Sequence, residues 1–368
     1  MTINFTRSGL ANALGVISPY LGKSASVRVK DNTFEMFAWT EHGSALARIP
    51  CQGEDNNWIY IDGLTLQRLV ALADEGVIEI NFTETGLTLK FPCSLSEIRS
   101  ARIGVPFENV KFGKSSGTIK GKDLTLLSMM TEAASTDDTR PNLNGIYIAA
   151  EDDAMKAAAA DGYILSFGSF GAQKLKAKGN TYSAKALNRA KRAIKPTDDE
   201  DVAIGFHKDG IALSVQRGSA DFFFEVPAVG GMFPDYMAIV NGTKKAITVT
   251  IETKTIASFL KRASALDGHI YMQVLNGILW LMATNDEKER SIDSVAVDEK
   301  DESVVMHYSA SLLKDVAKAC APNGSITLNF PAQNNSPMLI ESQTGVVAMP
   351  LINELKESPF KDMQPALI

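Results

Sequence analysis

The sequence predicts an α+β fold assembled from three similar domains in a row. Three observations predict it. A strand pattern of alternating apolar residues ends in phenylalanine three times, at Phe82, Phe206 and Phe330, and these are 124 residues apart each time. A tyrosine and a helix-like run precede every copy: Tyr60 before Leu64–Leu72, Tyr182 before Ser183–Ile194, and Tyr308 before Ser309–Lys318. The chain's 368 residues also exceed what one hydrophobic core usually holds. The alternative is three unrelated α+β domains that look alike by chance. A shared strand, helix, tyrosine and period together argue against it.

The elements follow in order. Ile78-x-Ile80-x-Phe82, Val202-x-Ile204-x-Phe206 and Ile326-x-Leu328-x-Phe330 alternate with period two, as half-buried strands do. A turn and a second strand follow in two copies. Glu84-Thr85-Gly86 leads into Leu87-x-Leu89-x-Phe91, and Lys208-Asp209-Gly210 leads into Ile211-x-Leu213-x-Val215. The third copy has a longer polar loop, Pro331 to Pro337, before Met338-x-Ile340. A second strand-then-helix signal precedes each of these, at Ile3–Ile17, Ile119–Ala134 and Ile247–Leu266. Each third therefore reads strand–helix–strands twice. The domains are expected near 1–115, 116–243 and 244–368, with junctions at Gly113–Gly117 and Asn241-Gly242.

Composition excludes several classes. With 45% hydrophobic and 22% charged residues, the chain is neither disordered nor collagen-like. Cys51, Cys93 and Cys320 are odd in number and far apart, which argues against a disulfide framework or thiolate metal site and fits a reducing compartment. No apolar run reaches transmembrane length, and the N-terminus lacks a signal pattern, so a cytoplasmic protein without a membrane partner is expected.

The net charge is −6, yet positive charge is concentrated. In the run 183–195, Ala186, Leu187, Ala190, Ala193 and Ile194 form one apolar stripe. Lys185, Arg189 and Arg192 lie on the other side, flanked by Lys191 and Lys195, with no acid in the run. The third repeat leans the same way through Lys254, Lys261 and Arg262 on one helix and Lys314 and Lys318 on the other. A charged helix face is usually only a solvated face. Its recurrence at equivalent positions favours a surface that meets phosphates without reading bases, since no aromatics interleave the charges. Lys23 and Arg140 complete the set of residues expected to face DNA.

Catalysis finds little support. His42, His207, His269 and His307 form no metal-ligand spacing. Gly168-Ser-Phe-Gly171 is not a nucleophile elbow, and neither a Walker loop nor a dinucleotide fingerprint is present. The paired acids Asp137-Asp138, Asp152-Asp153 and Asp198–Asp201 sit in turn-like stretches where solvated acids are routine. No catalytic residue, metal or cofactor is expected.

Five strings carry a resemblance. Thr139-Arg-Pro-Asn-Leu-Asn-Gly-Ile-Tyr147 resembles T-R-P-x-L-N-G, and Ala159-Ala-Asp-Gly-Tyr-Ile-Leu165 resembles A-T-D-G-H-R-L. Phe233-Pro-Asp-Tyr236, Pro337-Met-Leu-Ile340 and Val346-Val-Ala-Met-Pro350 are similar to F-P-D-Y, P-V-L-I and Y-V-V-M-P. In this order they are marks of the bacterial DNA sliding clamp, the β subunit of DNA polymerase III. The chain resembles a divergent or phage-encoded member whose first third matches in layout only.

The resemblance implies three clamp domains, each with two helices packed on antiparallel sheets, and two chains closing head to tail into a ring. Such a ring encircles duplex DNA without sequence preference, is opened by a clamp loader, and tethers the replicative polymerase. It also binds other proteins through short clamp-binding peptides. Carried over by motif, the peptide cleft would use Leu143, Gly162, Tyr163, Ile164, Leu165, Pro234, Ala238, Ile239, Val347, Met349 and Pro350. Simple core packing is the competing account of its apolar members. Tyr163, Ile164 and Ala238 replace the family's His, Arg and a basic residue, so partner preference is expected to differ. Leu351-Ile352 and a further tail follow Pro350, where family chains usually end. The tail closes on Gln364-Pro-Ala-Leu367-Ile368, which has the form of a clamp-binding peptide and either docks in such a cleft or frays. An open DNA-binding protein and an enzyme of unrecognised chemistry are the alternative readings.

Overall fold

The structure is a computed structural model that describes residues 2–100, 117–151, 153–266, 268–319, 324–351, 357–361 and 363, with backbone only at 317–319. The junction expected at Gly113–Gly117 therefore lies outside the described residues except for Gly117, as do Cys320, the Lys318 side chain and the last five residues.

One order of elements occurs three times: strand, helix, three strands, then the same again. The first set is β1 (Thr2–Thr6), α1 (Arg7–Ile17), β2 (Ala25–Lys30), β3 (Thr33–Thr40), β4 (Gly43–Pro50), β5 (Ile59–Ile61), α2 (Gly63–Leu72), β6 (Val77–Thr83), β7 (Gly86–Lys90) and β8 (Leu95–Arg99). The second is β9 (Gly117–Lys120), α3 (Gly121–Met130), β10 (Gly145–Glu151), β11 (Ala154–Ala160), β12 (Ile164–Gly171), β13 (Ala177–Ser183), α4 (Ala184–Ile194), β14 (Asp201–His207), β15 (Gly210–Arg217) and β16 (Ala220–Pro227). A short helix, α5 (Tyr236–Gly242), precedes the third set. That set is β17 (Ile247–Glu252), α6 (Thr253–Ala263), β18 (His269–Leu275), β19 (Ile278–Thr284), β20 (Arg290–Ala296), β21 (Met306–Ser309), α7 (Ala310–Ala319), β22 (Ser325–Phe330), β23 (Met338–Glu341) and β24 (Gly345–Ala348).

All strand pairs are antiparallel, and the strands form four sheets. Two have four strands, β1-β6-β7-β8 and β20-β19-β18-β21. Two have eight, β5-β2-β3-β4-β16-β15-β14-β9 and β13-β10-β11-β12-β24-β23-β22-β17. Each eight-stranded sheet joins strands of one set to strands of the next, through β4–β16 and through β12–β24. The repeats are thus joined by backbone hydrogen bonds rather than by side-chain packing alone. Edges that would otherwise be open are closed this way.

Local chemistry explains the elements. In α1, Thr6 caps the first turn by accepting from the Gly9 amide, and Leu10, Ala13, Leu14 and Ile17 are buried on one face. Asp62 does the same for α2 and Ser183 for α4. The β6–β7 hairpin turns at Glu84-Thr85 and re-enters at Gly86, where φ is +145°. A Cβ at Gly86 would stand 2.0 Å from the Ile98 carbonyl oxygen, so only glycine fits. Phe82, Phe206 and Phe330 close the equivalent strands β6, β14 and β22. Of the three tyrosines that mark the repeat, Tyr182 and Tyr308 are buried and Tyr60 is half-buried.

Candidate functional site: a helix row and an apolar cleft

Six helices form one row through neighbour contacts, in the order α2, α1, α4, α3, α7, α6. The sheets carry them from behind. The row turns its apolar stripes to the sheets, which leaves the polar stripes on the opposite side.

The densest positive charge in the row is on α4. Ala186, Leu187, Ala190, Ala193 and Ile194 are buried, while Lys185, Arg192 and Lys195 are exposed and form no ion pair with another described residue. Lys195 ends the helix in a left-handed conformation, φ +46°, with its amide on the Lys191 carbonyl. Lys191 and Arg192 sit in the last turn, where a cation suits the helix dipole. Arg189 is half-buried and places its guanidinium 5.9 Å from the ring centre of Tyr20, at the contact between the first two repeats. Burial pushes the Tyr20 hydroxyl well above the usual tyrosine range, and Arg189 and Arg192 pull against that rise.

The remaining candidates differ in how free their charge is. Lys254 pairs with Glu252 at 2.6 Å, and Arg262 on α6 pairs with Asp293 on β20. Lys261 and Lys314 are exposed without an ion pair among the described residues, and so is Lys23, in the turn before β2. Arg140 lies elsewhere, in the turn before β10. There it pairs with Asp137 at 3.8 Å, and its Nη1 would be 3.3 Å from a Cβ at Gly162. On the first repeat's helices, Arg7 is held by Glu75 and by the Ala71 carbonyl, which leaves Arg68 as the one exposed cation without an ion pair among the described residues. Lys174 and Lys176 before β13, and Lys178 at its start, add a run of exposed charge that the helix pattern did not point to.

The residues expected to form the cleft gather where β12 meets β24. Leu165 is paired with Val347 across that seam, and both are buried with Leu143, Ala158, Phe233, Tyr236 and Leu339 in a cluster separate from the main core. Tyr163 and Met349 stand on the rim, 65% and 39% exposed. The Met349 amide donates to the Tyr163 carbonyl at 2.9 Å, and Pro350 follows half-buried. Gly162, φ +103°, makes the turn that lifts Tyr163, and Asp161 braces it by accepting from the amides of Tyr163 and Ile164. Opposite, Asp235 caps α5, which leaves Pro234, Ala238 and Ile239 exposed.

Ile164 stands apart from this group. It neighbours Leu165 in β12, so the period-two alternation sends it to the opposite face, where it is buried in the main core. Three rings belong to the cleft that the motif carry-over left out. Tyr147 stacks on Phe233 at 5.4 Å and tilts against Tyr236 at 6.0 Å, forming one wall. Met232 and Met237 extend the apolar rim, at 87% and 42% exposure. The F-P-D-Y string was the signal for two of the rings.

No group of three metal-ligating side chains gathers among the described residues. His269 and His307 do meet, with Nδ1 and Nε2 3.0 Å apart across β18 and β21. His307 also stacks on Tyr271 at 4.5 Å. Sequence spacing alone could not bring these two histidines together.

Three like units, a continuous helix row backed by sheets and an apolar cleft at a domain seam define a clamp-type subunit. Residues 119–235 match the family described as DNA polymerase III beta subunit, central domain. The beta sliding clamp of Pseudomonas putida is 22% identical over 294 residues, spanning 76% of this chain and 78% of that protein. That of Caulobacter vibrioides is 24% identical over 262 residues, spanning 68% and 64%. Among solved structures, the DNA polymerase III subunit beta of Pseudomonas aeruginosa superposes with a TM-score of 0.82 at 20% identity, covering 96% of this chain and all of that one. The Bacillus subtilis sliding clamp gives 0.83 at 15% identity, with 96% and 99% covered. Residues 119–235 thus match the beta-subunit family's central domain, and the chain as a whole shares the fold of the solved sliding clamps.

Proposed function

We propose that this chain is a DNA polymerase processivity factor that closes with a second copy into a ring around duplex DNA. The observation that carries the ring is the state of two edges. In the first two repeats, the last strand of the first half pairs with the next repeat's last strand: β4 with β16, and β12 with β24. The same rule makes β20 and β8 counterparts, and each is an edge strand with one side unpaired among the described residues. Pairing β20 of one copy with β8 of another satisfies both edges and repeats the seam geometry a third time. Two copies then close with neither β8 nor β20 left open, and the two rows of six helices become a twelve-helix lining.

Lys185, Arg189, Lys191, Arg192, Lys195, Lys254, Lys261, Arg262, Lys314 and Lys318 would face the duplex from that lining, with Lys23 beside it. Their contacts are to phosphates, so affinity would be independent of sequence and sensitive to salt. Arg140 sits beside the cleft instead, where it suits a partner's acidic residue better than DNA. The cleft between β12, β24 and α5 would take short apolar peptides from the replicative polymerase, the clamp loader and other partners in the cytoplasm. The work is topological and asks no covalent chemistry of any residue.

The test is mass and retention together. Light scattering should give twice 39.7 kDa, about 79 kDa, persisting on dilution. Once loaded, the protein should stay on circular DNA in high salt and slide off after linearisation. A monomer that leaves both DNAs alike as salt rises would replace the ring with an open electrostatic binder.

A further inference from the structure

The outer face of the third repeat's four-stranded sheet holds a second apolar cluster. Met272, Val274, Leu279 and Leu281 point from β18 and β19 into the main core. Alternation sends Leu275, Trp280 and Met282 to the other face, away from that core, yet all three are buried. What covers them is the chain's own tail. Phe360 is fully buried among them, and its ring lies 6.0 Å from that of Trp280 at an interplanar angle of 21°. The Ser358 hydroxyl donates to the side-chain oxygen of Gln273, whose amide is fixed by donating to the Ser303 carbonyl at 3.0 Å. The Phe360 amide donates back to the Ser358 oxygen at 3.2 Å, and the Met363 amide to the Phe360 carbonyl at 3.0 Å. Met363 then packs against the cluster's margin.

This arrangement has the parts of a ligand site: an aromatic floor, one oriented amide and an occupant that inserts a single anchor. From it we infer that the outer face of β18–β19 is a peptide-binding socket, separate from the cleft at β12 and β24. Its occupant is the chain's own tail at 357–361 and 363. The ligand class follows from the contacts: a short peptide with a hydroxyl residue two positions before an aromatic ring. Hydroxyl and ring must be read together, because Ser358 bonds both Gln273 and the Phe360 amide. In cis, the segment faces the socket at a millimolar effective concentration, so the intact chain excludes free peptide.

The test uses the full-length chain and a fluorescein-labelled peptide with the sequence of residues 357–363. Phe360→Ala should empty the socket. Peptide should then bind the variant about tenfold or more tighter than the intact chain. A peptide with alanine at its phenylalanine should bind neither. Trypsin should cut after Lys361 about tenfold faster in the variant, because the turn that the anchor holds in place is released. Ser358→Ala, which leaves the aromatic anchor in place, should move both readouts in the same direction by less. Equal peptide binding to the intact chain and Phe360→Ala overturns the socket, and so does faster cleavage without peptide binding.

Discussion

Leu165 and Val347 face each other across β12 and β24, and this one pair does two jobs. It belongs to the seam that fixes the second repeat to the third, and its side chains lie in the apolar cluster proposed as the floor of the partner cleft. In the proposed partner cleft, binding and domain attachment would share atoms. Floor and rim substitutions should therefore behave differently.

Leu165→Ala should cost about 2–5 kcal/mol of stability, because it removes buried methyl groups beside a rigid sheet. Tyr163→Ala, on the exposed rim, should change stability by no more than about 0.5 kcal/mol. Both should weaken binding of a clamp-binding peptide. Urea melts beside peptide titrations separate the two effects. A rim variant with undiminished peptide affinity would remove Tyr163 from the site.

Charge reversal should discriminate among the helices. Lys185→Glu with Arg192→Glu removes charge that no described acid offsets. The slope of log affinity against log salt should fall by about 0.9 for each phosphate that is no longer neutralised. Reversing Lys254 and Arg262, already held by Glu252 and Asp293, should lower it less. Arg189→Glu should also loosen the packing between the first two repeats, since its guanidinium lies against Tyr20. Unchanged DNA retention and processivity in the α4 double variant would dismiss that helix from the lining.

The seam between the first and second repeats should respond to pH. Glu225 on β16 lies 2.6 Å from His207, and burial pushes its carboxyl up to about 8, with Asp209 adding to the rise. Burial moves His207 the other way, below the usual histidine value. A carboxyl with a raised folded-state pKa holds its proton longer in the folded chain than in the unfolded one. Stability from Glu225 therefore falls as pH rises from the ordinary carboxylate range toward about 8, and levels off above it. His207 acts only below its ordinary pKa near 6.5, where stability falls as pH drops. Between about pH 6.5 and 8 the Glu225 effect stands alone, at no more than about 1.4 kcal/mol per pH unit. Glu225→Gln should flatten that slope in melts across the range, and an unaltered slope would show that another group sets it.

Gly86→Ala probes the β8 edge from the neighbouring strand β7. The new Cβ would stand 2.0 Å from the Ile98 carbonyl oxygen in β8, at a backbone φ of +145°. The strain should cost about 1–3 kcal/mol. It should also displace β8 and so raise the dissociation constant of the two-chain ring, as read by light scattering on dilution. A dimer as tight as the unaltered one would argue against β8 as the joint strand.

The α+β fold class was legible because its signals are local. Alternation at Ile78-x-Ile80-x-Phe82 and the apolar stripe of α4 both lie within a dozen residues. What was not legible depends on distant pairing. Nothing near β4 says that Asp221–Glu225 will lie beside Ser44–Arg48. The meeting of His269 with His307 likewise depends on β18 choosing β21 as its neighbour. The cleft was partly legible, through motif strings that gave Leu165 and Val347. The same strings carried Ile164 along, which alternation sends into the core. Tyr147 ends the first string but was not assigned to the cleft, since its place in the wall depends on how the loop at Phe233 folds back. The cancelling of Arg262 by Asp293 was hidden too, since the two lie on separate elements of the third repeat.

The crossed sheets also set a timetable for biosynthesis. The partner of β4 is β16, which begins 170 residues after β4 ends, at Ala220 against Pro50. At a translation rate of about 5–20 residues per second, that edge waits roughly 9–34 s for its mate. Most of β4 is apolar and becomes buried, with Arg48 as its only charge. A nascent chain therefore shows a sticky ribbon while the ribosome is still working on the second repeat. Any slowing of synthesis in that stretch lengthens the exposure, and a chaperone holding β4 would be most useful there.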